Sequence, residues 1–171
     1  MEAKDNLVLI ILCGPPCSGK TTWREQNTDI LFERYNKAPV MTICKDDIRE
    51  KLFGKDYKID TKLEKAVNDH FYQQLGLAAK FQTGVIILDN THCKESFIDG
   101  YLSIFRLMEQ RGQITIYVKF FDVPLWKAHL RNIWRNIRTG KYIPYRMMKI
   151  LCRNYNKIIK LKYKRFISDD I

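Results

Sequence analysis

The chain has 171 residues, 46% hydrophobic and 29% charged, with 30 Lys and Arg against 19 Asp and Glu for a net charge of +11. That length suits one folded domain, 1–171, able to bury a real core. The composition is that of an ordinary globular chain, and no apolar run approaches the ~20 residues of a membrane span. Met1 to Asn6 carries mixed charge and runs straight into an apolar stretch, so no signal peptide and no membrane partner are expected. Five cysteines (Cys13, Cys17, Cys44, Cys93, Cys152) are odd in number and lack paired CxxC spacing. This argues against a disulfide scaffold or zinc site and for a reducing, intracellular compartment, cytoplasmic or nuclear.

In chain order, Leu7–Cys13 is an unbroken apolar run that reads as a strand buried on both faces. It leads into Gly14-Pro15-Pro16-Cys17-Ser18-Gly19-Lys20-Thr21, the G-x-x-x-x-G-K-[ST] pattern of a phosphate-binding loop. Successive backbone N–H groups must curl round a phosphate chain there, and Gly14 and Gly19 stand where side chains would block it. The loop from Gly14 to Thr22 is the expected nucleotide-binding segment, with Cys17 a tolerated residue within it. Lys20 would reach the terminal phosphates of ATP or GTP. Thr21 would hold Mg²⁺ through its hydroxyl. A helix is expected over Thr22–Gln26, then an irregular or helical connection to Lys37.

Val40–Cys44 reads as a second strand, ending at Lys45-Asp46-Asp47-Ile48-Arg49. One of the two aspartates is expected to cap the helix that follows; the other would lie where parallel sheets bind ligands. Leu52–Ile59 reads as a loop or broken helix, and Thr61–Gln82 as an amphipathic helix broken by Gly84, with His70 a structural histidine on it. Val85–Leu88 is a third buried strand, ending in Asp89-Asn90-Thr91-His92. An apolar run closing in Asp suits an acid that orients Mg²⁺, and His92 is by default a turn histidine. Lys94–Gln110 is helical, Ile114–Phe121 is the fourth strand, and Leu125–Asn136 is a helix carrying Arg131 and Arg135 on one face, with Arg138 just beyond. Thr139–Pro144 is a turn within this arginine cluster and suits a lid, around 131–141, over a triphosphate. Tyr145–Lys162 is a basic helix, and Ile167–Ile171 an edge strand or tail. The alternation of strand and helix implies an α/β fold, a parallel sheet of four or five strands with helices on both faces.

Charge is uneven. Residues 111–165 hold fifteen Lys and Arg but a single acid, Asp122. Interleaved Trp, Tyr, Ile and Leu should fold this segment and leave its charge on a surface with affinity for phosphate backbones.

Four stretches, GPPCSGKTTW, KDDIR, LDNTHCKE and FDVPLWKAHLRN, in that order and spacing, resemble the 5′-hydroxyl polynucleotide kinase family, of the bacteriophage type and of kinase modules in nucleic-acid end-healing proteins. The likeness runs from about Leu7 to Tyr155. It implies a P-loop kinase fold with Lys20 and Thr21 on the donor phosphates and Mg²⁺, and Asp46 as general base for the acceptor 5′-OH. It also places Arg49, Asp89 and Thr91 on the acceptor side, with Asp89 behind the metal through water. The family's lid arginine best matches Arg135, after Arg131. The stretch before Pro144 is about three residues longer than in the phage type, so Arg138 competes for that role. The family's Asp-Thr-Asn is Asp89-Asn90-Thr91 here, which leaves the roles of Asn90 and Thr91 open. A 5′-OH end of RNA or DNA is the implied substrate, and a fused or separate ligase or phosphatase the implied partner; no DxDxT phosphatase motif occurs in this chain. The alternatives are a P-loop kinase of a nucleoside or small metabolite, and a nucleotide-dependent binding module that turns over slowly.

Overall fold

The computed structural model describes residues 6–54, 61–92, 94–163 and 166. Four parallel strands, β1 (Leu7–Cys13), β2 (Val40–Ile43), β3 (Gly84–Asp89) and β4 (Ile114–Phe120), form one sheet in the order β2-β3-β1-β4. The connection from β1 runs to the β2 side and that from β3 to the β4 side. The β1/β3 crevice is therefore the topological switch point, where open parallel sheets bind ligands beyond the strand C-termini. The expected parallel sheet is thus present with four strands among the described residues; a fifth at Ile167–Ile171 lies outside them.

The apolar run of β1 works on both faces because successive side chains alternate. Leu7, Leu9, Ile11 and Cys13 join a core with Val67, Phe71 and Leu75 of α3 (Thr61–Ala78) and Ile98, Tyr101 and Phe105 of α4 (Glu95–Gln110). Tyr155 of α6 (Tyr145–Lys162) closes the same side. Val8, Ile10 and Leu12 pack the other way, with Val85, Ile87 and Leu31 of α1 (Lys20–Arg34). A third cluster of Ala128, Met148 and Cys152 joins α6 to α5 (Leu125–Thr139), and Cys17 of the loop packs against it. Cys17 is thereby more than a tolerated loop residue, since it seats the loop on the α5/α6 pair.

Several boundaries differ from the sequence reading. The first helix starts at Lys20 and continues to Arg34, through most of the expected connection. α3 ends at Ala78, and Gly84 does not cap it but opens β3. α2 (Lys45–Phe53) is followed by Gly54, and the rest of Leu52–Ile59 lies outside the described residues. Neither aspartate caps α2: its N-cap is Cys44, and Asp46 and Asp47 both lie in the first turn without a side-chain cap bond. They still suit that place, because carboxylates are favoured at a helix N-terminus. α5 runs on to Thr139, which puts Arg138 in its last turn rather than beyond it.

Leu9→Ala, at a fully buried position of the central strand, should lower unfolding free energy by about 2–5 kcal/mol. Ile30→Ala, on the exposed side of α1, should stay within about 0.5 kcal/mol. Urea denaturation followed by circular dichroism measures both.

Candidate active site

The loop between β1 and α1 is shaped by close approach. A Cβ on Gly14 would stand 2.8 Å from Ser18 Oγ and 2.9 Å from both Phe121 Cβ and the Phe121 carbonyl oxygen, so the loop closes against the end of β4 only with glycine there. Gly19, at φ +106°, is the N-cap of α1. With no side chain to cap the helix, it leaves the first-turn N–H groups available to an anion. Lys20 is buried, and its Nζ donates to the carbonyl oxygens of Gly14 (2.9 Å) and Pro15 (2.8 Å) and to Ser18 Oγ (3.3 Å). Pro16 completes the turn of the loop between these carbonyls and Cys17.

The loop from Cys17 to Thr22, with Trp23 and Gln26 beyond it, forms one wall of a cleft of about 540 Å³; Arg131 and Arg135 form the other. Arg131 Nη1 donates to the Cys17 carbonyl at 3.1 Å, joining α5 to the loop. Arg135 is aimed by the turn after α5: its Nε donates to the Lys141 carbonyl (3.2 Å) and its Nη2 to Asn132 Oδ1 (3.1 Å). Asn132 is fully buried, donates to the Ile143 carbonyl (2.8 Å) and accepts from the Ile143 N–H (3.2 Å). Lys141 Nζ lies 4.0 Å from Glu50 Oε2, so the turn also reaches α2. Arg138 is exposed and does not line the cleft.

Asp89 ends β3, only 4% exposed. Its Oδ2 accepts from Thr21 Oγ1 at 3.0 Å and pairs with Arg24 Nη1 at 3.1 Å. Burial raises the Asp89 carboxyl above the usual carboxylate range, against the opposing pull of Arg24, the Thr21 hydroxyl and Lys20. Arg24 Nη1 also lies 3.5 Å from Asp47 Oδ2, so one guanidinium joins Asp89 to the first turn of α2. Thr21 and Asp89 together offer the hard oxygen donors that Mg²⁺ prefers.

Asp46, 80% exposed, accepts from Arg49 Nη1 one turn along α2. Arg49 is in turn gripped by Glu64 of α3, through Nε (2.7 Å) and Nη2 (2.8 Å). These bonds raise the Arg49 guanidinium further above its already high range and commit three of its nitrogens to carboxylates. Lys45, just before Asp46, donates through Nζ to Asn68 Oδ1 (2.6 Å), and burial lowers its ammonium.

The segment after β3 floors the crevice. Asn90 Oδ1 accepts from the Lys45 N–H at 2.9 Å, and the Thr91 carbonyl accepts from the Gly14 N–H at 3.3 Å. These bonds tie the segment after β3 to α2 and to the loop. His92 is buried at φ +42°, its Nδ1 2.7 Å from the Leu12 carbonyl and its ring edge-on to Tyr101.

The structure brings Lys20, Thr21, Arg131 and Arg135 to one cleft and sets Asp89 beside Thr21, whereas Asp46 and Arg49 pair on α2 outside the cleft lining. Three residues in this network lie outside the four motif stretches: Arg24, Gln26 and Glu64. Arg24 was within reach of spacing, being three residues after Thr21 on the same helix. Asn132 stands between two cleft arginines with no residue pattern to mark it as buried. Glu64 comes from another helix, and nothing local signals it.

The fold and this loop define a P-loop kinase-like α/β domain. Residues 9–142 match the AAA domain family AAA_33, and the chain belongs to that family. No curated protein sequence matches it. Among solved structures it is similar to a chain of the Pnkp1/Rnl/Hen1 RNA repair complex, with 24% identity and a TM-score of 0.69 over 88% of this chain and 44% of that one. It is also similar to Chaetomium thermophilum Kti12 in complex with ADP-AlF3 (19% identity, TM-score 0.63, 94% of this chain and 86% of that one). A Chloroflexus aurantiacus protein described as a kinase matches at 17% identity and a TM-score of 0.60, over 86% of this chain and 76% of that one. The chain spans less than half the length of the RNA repair protein it matches. At these identities the likeness is one of fold. Among the described residues no helix is long and apolar enough to cross a membrane.

Burial pushes the His92 imidazole down from 6.5 to about 3, despite its bond to Leu12. Below pH 6.5 the unfolded chain takes up a proton that the native chain refuses until about pH 3, so stability falls with pH across that window. Between pH 7 and pH 5 the loss from this group should be about 2 kcal/mol. His92→Asn, which tolerates the left-handed backbone, should flatten that part of the pH dependence in denaturant melts run in parallel.

Proposed function

We propose that the chain transfers the γ-phosphate of ATP or GTP to the 5′-OH end of RNA or DNA. The observation that carries this reading is the exposed Asp46 carboxylate, held by Arg49 in the first turn of α2, the same turn in which its neighbour Asp47 pairs with Arg24 beside Asp89. A protein that only holds nucleotide has no use for a braced carboxylate there; a phosphotransferase uses it to take the acceptor proton. The basic segment 111–165 supports a polyanionic acceptor, since a neutral metabolite needs no such field. The likeness to a chain of an RNA repair complex supports the same acceptor.

In this reading the phosphate chain lies in the loop from Gly14 to Thr22 and displaces the Gly14 and Pro15 carbonyls from Lys20, whose ammonium then stabilises the terminal phosphates. Asp46 receives the proton of the 5′-OH as the oxygen attacks. Arg49, already charged-paired, positions Asp46 and offers its outer edge to the neighbouring acceptor phosphate. Thr91 and Asp89 border the acceptor from the strand ends. Arg135, aimed by Asn132 and the Lys141 carbonyl, neutralises charge on the moving phosphoryl group, with Arg131 on the bound phosphates and Arg138 outside the cleft. Thr21 and Asp89 would hold Mg²⁺, Asp89 through water, and the ion would supply neutralisation of the β- and γ-phosphate oxygens. The chain acts as a single domain, 1–171, with its lid around 131–141, beside a fused or separate ligase or phosphatase.

The deciding assay offers γ-labelled triphosphate with 5′-OH RNA and DNA oligonucleotides beside a panel of nucleosides and small alcohols. Label on oligonucleotide ends is expected; label on nucleosides alone would hand the site to a metabolite kinase, and oligonucleotide retention without label to a binding module. Asp46→Asn should cut turnover by about 10²–10⁴-fold while leaving triphosphate affinity intact. Arg135→Ala should cut kcat by about 10³-fold or more, with Arg138→Ala much milder. Equal losses in the two arginine variants would remove the lid role from Arg135.

A further inference from the structure

α5 carries more than its cleft and core surfaces require. At about 100° per residue, Ala128 and Asn132 point into the fold and Arg131 and Arg135 into the cleft. The opposite face carries Trp126 (65% exposed), Leu130 (50%), Ile133 (39%), Trp134 (62%) and Ile137 (70%). Single exposed apolar side chains are ordinary, but five contiguous ones on one helix face are not. They contribute to none of the buried clusters.

We propose that this face docks an acidic amphipathic helix of a partner protein. The spacing of Trp126, Leu130, Ile133 and Ile137 is 4-3-4, the seam pattern of a helix that packs along another helix, and it extends for about three turns. Lys127 and Arg138 flank the seam on the Trp134 side. From Leu125 to Lys162 the sequence contains no Asp or Glu, so the charge that complements this surface must come from outside it. A second copy of the chain would bring the same cations and a net charge of +11 against its own kind. The apolar face covers only ~100° of the helix circumference, a seam rather than the broad face of a helix lying in lipid. Trp126 and Trp134 stand eight residues apart, about 12 Å along the helix, with Leu130 and Ile133 between them, so their rings form no continuous platform for successive bases. Docking here leaves the cleft face of α5 open and braces the helix that aims Arg131 and Arg135. The proposal does not depend on which acceptor the cleft phosphorylates.

The test uses two synthetic helical peptides of about three heptads, with Leu at the seam positions and either Glu or Lys at the flanks. Binding to the full chain is followed by anisotropy of a labelled peptide. The Glu peptide should bind at least about tenfold more tightly than the Lys peptide. Trp126→Gln combined with Leu130→Gln, both outside the lid around 131–141, should weaken it by a further tenfold or so, with circular dichroism and triphosphate binding unchanged. Leu130→Lys alone gives a second reading of the same face. Equal binding of the two peptides, or unaltered binding by both variants, would overturn the proposal. So would a concentration-dependent dimer, partition into phosphatidylserine vesicles, or oligonucleotide retention that the double variant abolishes without any peptide discrimination; these would assign the face to a second copy, a membrane or nucleic acid.

Discussion

Everything at this site depends on one ammonium group bonded inside its own loop. Lys20 Nζ holds the carbonyls of Gly14 and Pro15 at 2.9 and 2.8 Å, turning them inward while the first-turn N–H groups of α1 remain uncapped. The loop is therefore preorganised for an anion before one arrives: a buried cation is satisfied by carbonyl dipoles that a phosphate can replace, and the donors face the same space. The same geometry fixes where α1 begins, and so where Thr21 and Arg24 meet Asp89.

Around that loop charge is balanced in pairs. Asp89 is costly to bury as an anion, and it stays close to Arg24 and the Thr21 hydroxyl for that reason. Asp46 is the reverse case, exposed to solvent but held by an arginine whose other edge is gripped by Glu64. Two guanidinium groups thus organise the carboxylates of the strand ends. Arg24 couples β3 to α2 and Arg49 couples α2 to α3, so the three elements are linked through two guanidinium groups.

How much of this could be read in the sequence follows from which interactions are local. β1, β3 and the loop between β1 and α1 are legible because burial on both faces demands unbroken apolar runs and the phosphate cradle demands glycine at two fixed places. The length of α1 is not: Lys20–Arg34 is largely polar, with only Lys20 and Leu31 buried, so no apolar period announces its second half. Gly84 reads as a helix breaker, yet the preceding helix stops at Ala78 and the glycine serves the strand instead. Asp46 and Asp47 read as one cap and one functional acid, whereas Cys44 holds the N-cap and both lie in the first turn. Glu64 lies outside every motif stretch, and the bonds of Asn132 stay hidden although the residue lies inside one, because their partners are distant in the chain or are backbone atoms, and backbone partners leave no trace in residue type.

The position of Arg135 within α5 explains why it, and not Arg138, is held over the cleft. Arg135 follows Asn132 by three residues, and Asn132 is fixed by two bonds to the backbone of Ile143. The turn from Gly140 is folded back by those bonds, which bring the Lys141 carbonyl to Arg135 Nε. A guanidinium aimed by neutral acceptors stays rotamer-locked yet keeps its net charge, so a phosphate oxygen offers it more than the groups it would leave. Arg138 lies in the last turn, where a cation is favoured by the helix dipole whatever else it does. Its charge is accounted for by that local effect, while the charge of Arg135 is directed by a buried asparagine, a carbonyl and a folded turn toward the space above the loop.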